Sequence, residues 1–302
     1  MVWLCAFGLL DCVDDPGEIL VLYAVVGLVL IPFTEASNKT VLIFAIILVL
    51  QPLDWVRVVR ALVDPEFTVM AGRYYPYYEN VRAAVTEGTF FEAVKVNIWD
   101  GVLYRTLWAV ENGRPFQTAA LFLFGMLLGR KNFFESSDAS RKFWKGLLKW
   151  ALIVLVPLYL TRYPIRLWLP EGTLQTSLSI ITLSLAKLSF AAIIASCFTL
   201  LWFRGGRCQK AEKFFAPFGR MSLTNYLGQS LLGTVMFYGW GFGMYKWFGT
   251  VACIIYGVFV FLLLRWFSVW WLARHKQGPL ETLWKRGTWL FSKSELKSKI
   301  MQ

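Results

Sequence analysis

At 302 residues, 57% hydrophobic, 17% aromatic and 17% charged, with a mean hydropathy of +0.52, the sequence is too apolar for a soluble domain; in such domains charged residues make up about a quarter of the chain. The apolar residues come in blocks close to the ~20 residues a helix needs to cross a bilayer. That pattern excludes an outer-membrane barrel, a disulfide-stapled secreted scaffold and a disordered chain.

In chain order, apolar runs fall at residues 2–10, 19–33, 40–56, 116–128, 147–160, 174–203, 223–240 and 251–272. The longer runs read as spanning helices, so the expected fold class is all-α, a polytopic transmembrane helical bundle of about seven or eight spans. The first run is too short to cross. No basic stretch precedes it, and it leads into Asp11, Asp14 and Asp15 instead of a small-residue cleavage site, so it does not read as a signal peptide. The chain is expected to begin partway through a longer architecture.

The formal net charge of +12 is explained by where the cations sit. Lys and Arg gather on alternate connections: at Lys39, across 130–149, across 204–220, and in a basic tail over 274–302. The other connections, including the acidic 14–18 stretch and the long 54–115 segment, are acidic or nearly balanced. This asymmetry predicts which loops face the cytoplasm and places the C-terminus there. It also removes nucleic acid as a partner, because the excess charge is topological. The cysteines, Cys5, Cys12, Cys197, Cys208 and Cys253, form no CxxC and have no nearby histidine. They read as small core residues, with no metal site.

Segment 54–115 is too long for a structureless loop. Thr89 and Glu92 have capping-box spacing and open a stretch in which Phe91, Val94, Ile98, Val102 and Arg105 share a helical face. With Trp99, Tyr104 and Trp108, this reads as an outer interfacial amphipathic segment. It either packs on the bundle or acts as a lid over a cavity.

Several local patterns carry a resemblance. Gly17-Glu18-Ile19-Leu20, followed by Tyr23, Ala24 and Gly27, resembles a G-D-I-L-x-x-Y-A-x-x-G element. Phe124 to Arg130 resembles F-G-M-x-x-G-R. Gly219-Arg220-Met221-Ser222-Leu223-Thr224-Asn225-Tyr226-Leu227, with Gln229 and Ser230, is similar to G-R-M-A-L-T-N-Y-L-x-Q-S. Gly278-Pro279-Leu280-Glu281, with Trp284, Arg286 and Thr288, matches a G-P-L-E-W-L-W-R-x-x-T tail. These belong to the YeiB-like group of bacterial inner-membrane proteins, domain of unknown function 418, and the resemblance covers essentially the whole chain as a single domain, 1–302. Members usually carry further N-terminal spans, and many have a histidine where this sequence has Asp11. The group distantly resembles transmembrane acyltransferases, which implies movement of an acyl group from a cytoplasmic thioester to an acceptor on the far side.

The chemistry available is limited. His275 is the sole histidine and sits among Arg274, Lys276 and aromatics, where it reads as an anchor. No phosphate-binding loop, zinc-protease or hydrolase motif is present. Lys187 lies deep in the 174–203 run, about 20 Å along its helix from the outer end, with Thr182, Ser189 and Ser196 at roughly helical offsets. It reads either as a functional cation or as half of a buried pair with an acid such as Asp11 or Glu18. Arg265, also inside a run, is placed for snorkelling. Arg220 opens another span, where helix amides attract anions. Ser222, Asn225 and Gln229 follow at i, i+3 and i+7. They serve either ligand contact or packing between helices.

The catalytic candidates are therefore Glu18, at the acidic position of the family element, and Lys187. The binding candidates for an acyl-CoA-like donor are Arg220, Ser222, Asn225 and Gln229. The alternative is a transporter or lipid-handling protein without covalent chemistry. Expected partners are membrane lipids, a small-molecule or lipid substrate, and a second copy of the chain.

Overall fold

The computed structural model describes residues 2–12, 19–64, 66–69 and 72–288. Helix makes up 82% of it, with no strand among the described residues. In chain order the helices begin with α1 (Val2–Asp11), α2 (Leu20–Val29), α3 (Asn38–Val49), α4 (Pro52–Val63) and α5 (Tyr75–Glu87). Next come α6 (Phe90–Val96), α7 (Val102–Glu111), α8 (Arg114–Arg130), α9 (Asp138–Leu160) and α10 (Arg162–Trp168). The last are α11 (Thr173–Arg204), α12 (Arg207–Arg220), α13 (Ser222–Phe237), α14 (Thr250–Leu272) and α15 (Pro279–Thr288).

Three stretches are long and apolar enough to cross a membrane: Asp138–Trp168, Thr173–Arg204 and Thr250–Leu272. The bent pair Asn38–Val49 and Pro52–Val63 makes a fourth if counted as one span. Their apolar side chains face outward, as Ile153, Phe198 and Ile254 do. An apolar exterior on helices of this length marks a membrane protein. By this measure the described helices give fewer crossings than the seven or eight expected. The difference lies in α8 and α13, at 17 and 16 residues, and in α1 and α2, at 10 each. These runs are broken by turns before they reach full length.

The chain divides into two compact units. One comprises 25–73 and 106–209. In it α3 packs on α8, and α11 packs on both α4 and α9. Ser37 starts α3 by accepting from the Thr40 amide at 3.2 Å, and Ser137 starts α9 by accepting from the Ser140 amide at 3.1 Å. Pro52 and Pro115 stand in the first turns of α4 and α8, where a missing N–H costs nothing. Arg130 ends α8 with a structural grip. Its guanidinium donates to the carbonyls of Phe33, Thr34 and Ala36 and to Asn38 Oδ1, at 2.6 to 3.1 Å.

The other unit comprises 1–24, 74–105 and 210–302. There α13 packs on α14 and α15, and α15 also meets α1, with the Trp3 ring lying against Gly287. The outer segment is helical, and its capping box forms: Thr89 Oγ1 accepts from the Glu92 amide, and Glu92 Oε2 accepts from the Thr89 amide at 2.8 Å. The backbone donation from Thr89 holds the Glu92 carboxyl below its ordinary range. A π-helical turn over Asn97–Gly101 adds a residue after α6. The buried face becomes Ala93, Asn97 and Gly101, while Phe91 and Ile98 of the expected face are exposed.

Candidate functional site

In the first of these units, the polar groups cluster where the α3–α4 pair breaks. The two helices meet at 47°, and Gln51 between them is left-handed, with φ of 59°. Gln51 is fully buried. Its Nε2 donates to the Gly113 carbonyl at 3.1 Å and to Ser184 Oγ at 2.9 Å. Gly113 is itself left-handed, at φ 63°, and caps the start of α8. Two chain breaks are therefore joined by one side-chain amide, against one hydroxyl of α11. Gln117, one turn into α8, reaches the Ser184 carbonyl at 3.4 Å and accepts from Arg114 Nη1 at 3.3 Å. One turn along α4, buried Asp54 accepts from Arg57 at 2.9 Å and is hydrogen-bonded by Ser177.

Lys187 stands one turn beyond Ser184 on α11 and is half-buried. The charges that act on it are those of Arg114 and Arg162, both cationic. No carboxylate forms an ion pair with it among the described residues. The α11 stripe that meets polar partners is Ser177 and Ser184, on a different face from the one expected through Thr182. Thr182 turns back to its own helix, donating to the Leu178 carbonyl at 2.8 Å. Glu18 lies outside the described residues.

In the second unit the binding candidates surround the head of α13. Asn225 is buried and fully engaged, with Nδ2 donating to the Phe218 carbonyl and to Ser268 Oγ at 3.0 Å, and Oδ1 accepting from Ser268 at 3.2 Å. It ties α13 to α14. Ser222 and Gln229 are exposed, so the three residues do not gather around a common opening. The helix amides that would attract an anion already have one. Glu281 of α15 accepts from the Thr224 amide at 3.0 Å and from Thr224 Oγ1 at 2.6 Å. Arg220 is exposed and donates from Nη2 to the Lys276 carbonyl at 2.7 Å. Beside it lies an open cleft of about 310 Å³ lined by Arg220, Gln277, Glu281, Trp284, Lys285 and Thr288. Arg265 lays its guanidinium 3.8 Å from the Phe214 ring centroid and donates to the Phe214 carbonyl. His275 stacks on Trp271 with centroids 4.1 Å apart.

A family model described as "Protein of unknown function (DUF418)" matches residues 128–291, more than half of the chain, from the end of α8 through α15. The chain belongs to the DUF418 family. It is 23% identical over 303 aligned positions to "Uncharacterized protein YxaH" of Bacillus subtilis, covering 91% of this chain and 66% of that protein. It is 41% identical over 70 residues to "Uncharacterized protein YeiB" of Escherichia coli, covering 23% of this chain and 18% of that protein. This DUF418 chain thus spans just under two thirds of the length of the Bacillus relative. No solved structure matches it.

Two features of this DUF418 protein were not anticipated from its sequence. The Gln51, Gln117 and Asp54 cluster had one visible signal, a Gln-Pro pair interrupting an apolar run. Glu281 lies 57 positions from Thr224, with nothing local to pair them.

Proposed function

We propose that this DUF418 chain is a bacterial inner-membrane protein, its C-terminus in the cytoplasm and its shorter apolar helices completing the crossings. Its function is to transfer an acyl group from a cytoplasmic thioester to an extracytoplasmic acceptor. The observation that carries this reading is the ionisable group Lys187 in a long apolar helix beside a cluster of buried amides and hydroxyls. Such a group is costly in hydrocarbon and marks a pathway or a reaction site. Lys187 would serve as acid or base, together with Glu18. Arg220 would neutralise phosphates of an acyl-CoA-like donor, with Ser222 and Gln229 presenting polar groups and Asn225 holding α13 on α14.

The test is a melting series of the detergent-purified protein with CoA thioesters, since a ligand bound only by the folded form raises the melting point. A rise that disappears in Arg220→Ala supports the donor assignment. Lys187→Met should keep that rise and lose transfer of a labelled acyl group to acceptor. No response to any thioester overturns the enzyme reading.

One observation favours a second reading, a transporter or lipid-handling protein without covalent chemistry. Broken helices joined through buried polar groups are the form in which non-helical backbone occurs within bilayers around substrate sites. Lys187, with Arg114 and Arg162 acting on it, would then face an anionic substrate in transit.

A further inference from the structure

The cleft beside α15 carries an inference that stands apart from acyl transfer and shares only Arg220 with it. Glu281 spends both carboxylate oxygens on Thr224, so Arg220 and Lys285 dominate the charge the cleft offers a ligand. The Arg220 guanidinium is fixed by its bond to the Lys276 carbonyl. Its Nε and Nη1 find no acceptor among the described residues. A guanidinium edge held in place this way suits two oxygens of one phosphate. The Gln277 side-chain amide and the Thr288 hydroxyl line the same opening.

Location indicates what carries the phosphate. The cleft lies just past the end of α14, which is 23 residues long and apolar enough to cross a membrane. Trp270 and Trp271 close that helix, and the exposed Trp284 lines the cleft. Indoles in this arrangement settle at headgroup level. Arg274, Lys276, Lys285 and Arg286 follow the span, and Lys293, Lys297 and Lys299 come after them in sequence. A basic run directly beyond a spanning helix meets the anionic surface of a leaflet. A soluble phosphate would gain nothing from the indoles or from the adjoining apolar flank.

We propose that the cleft between Arg220 and α15 binds the phosphodiester headgroup of an anionic phospholipid. The phosphate sits between Arg220 and Lys285, and the glycerol lies against Trp284. The acyl chains run along the exposed α14 flank that carries Leu262, Trp266 and Val269.

The experiment titrates dioctanoyl-phosphatidylglycerol and dioctanoyl-phosphatidylcholine into the full chain in neutral detergent and follows melting. Parallel arms contain sodium phosphate or CoA. The expected result is tighter binding of the glycerol lipid than of the choline lipid. Arg220→Ala and Lys285→Ala should each weaken it roughly fivefold, and Arg286→Ala, on the same helix but outside the lining, should not. Each variant is read against its own lipid-free melting point, so loss of fold is not mistaken for loss of binding. Equal response to both lipids overturns the proposal. An equal loss in Arg286→Ala also overturns it, by showing diffuse surface charge. A shift from phosphate or CoA as large as that from lipid overturns it in favour of a soluble anion. Silence toward CoA thioesters with a retained lipid response leaves this site standing and sinks acyl transfer.

Discussion

Gly113→Ala tests whether the two breaks in the unit built on α11 are held by one amide. A Cβ at Gly113 would lie 2.3 Å from Gln51 Oε1, and the backbone there has φ of 63°. The left-handed conformation alone costs an alanine about 1–2 kcal/mol. Gln51 is fully buried and cannot swing into solvent. To make room it must give up its bonds to the Gly113 carbonyl and Ser184 Oγ, at 3.1 and 2.9 Å. Such bonds contribute about 0.6 kcal/mol each within membranes, and stranding the buried groups adds about 1–3 kcal/mol. The sum is about 3–5 kcal/mol. In a Gln51→Ala background the obstruction is gone, and Gly113→Ala should cost only the backbone share. Unfolding of all four variants by SDS titration in mixed micelles measures this cycle, with an expected coupling of about 2 kcal/mol. If Gly113→Ala costs the same in both backgrounds within about 0.5 kcal/mol, the side chain is not what holds the breaks together.

Glu281→Gln keeps an acceptor for Thr224 but loses the charge, and should cost about 1 kcal/mol. Glu281→Ala should cost about 2 kcal/mol, both read as loss of melting temperature; equal and negligible effects would refute the capping role. Arg130→Lys cannot reproduce a fork that serves four acceptors. It should destabilise by about 1–3 kcal/mol and speed amide exchange at the start of α3; unchanged exchange would remove Arg130 from that role. Donation from Thr89 holds the Glu92 carboxyl below its ordinary value of 4.5. The capping box therefore contributes fully above that pH and is lost as pH falls through the lower folded value. Carbon NMR of the Glu92 carboxyl checks this, and a midpoint at or above 4.5 contradicts it.

Much of the architecture can be read in the chain because its causes are local. The apolar runs mark the helices at their places, and Thr89 and Glu92 are three residues apart, so their capping box is visible as spacing. What stays hidden depends on partners distant in sequence. Gln51 and Pro52 interrupt a run that hydropathy reads as continuous, and the bend follows only once Gly113 and Ser184 are there to receive the amide. The register of the outer segment slips because one π turn, which no residue pattern announces, rotates everything after Asn97. Asn225 and Ser268 are ordinary small polar residues until α13 and α14 are laid together.

The carboxylate shared between α13 and α15 also bears on the order of assembly. During synthesis the first turn of α13 leaves the ribosome well before residue 281, so it is inserted with the Thr224 amide still open. Its finishing bond waits for the tail to fold back. Gly278 is tied to the same event, because a side chain there would strike both Glu281 and Met221. The conserved-looking tail is thus the closing stitch of an upstream helix, and a deletion that ends the chain before it would be felt in a segment translated earlier.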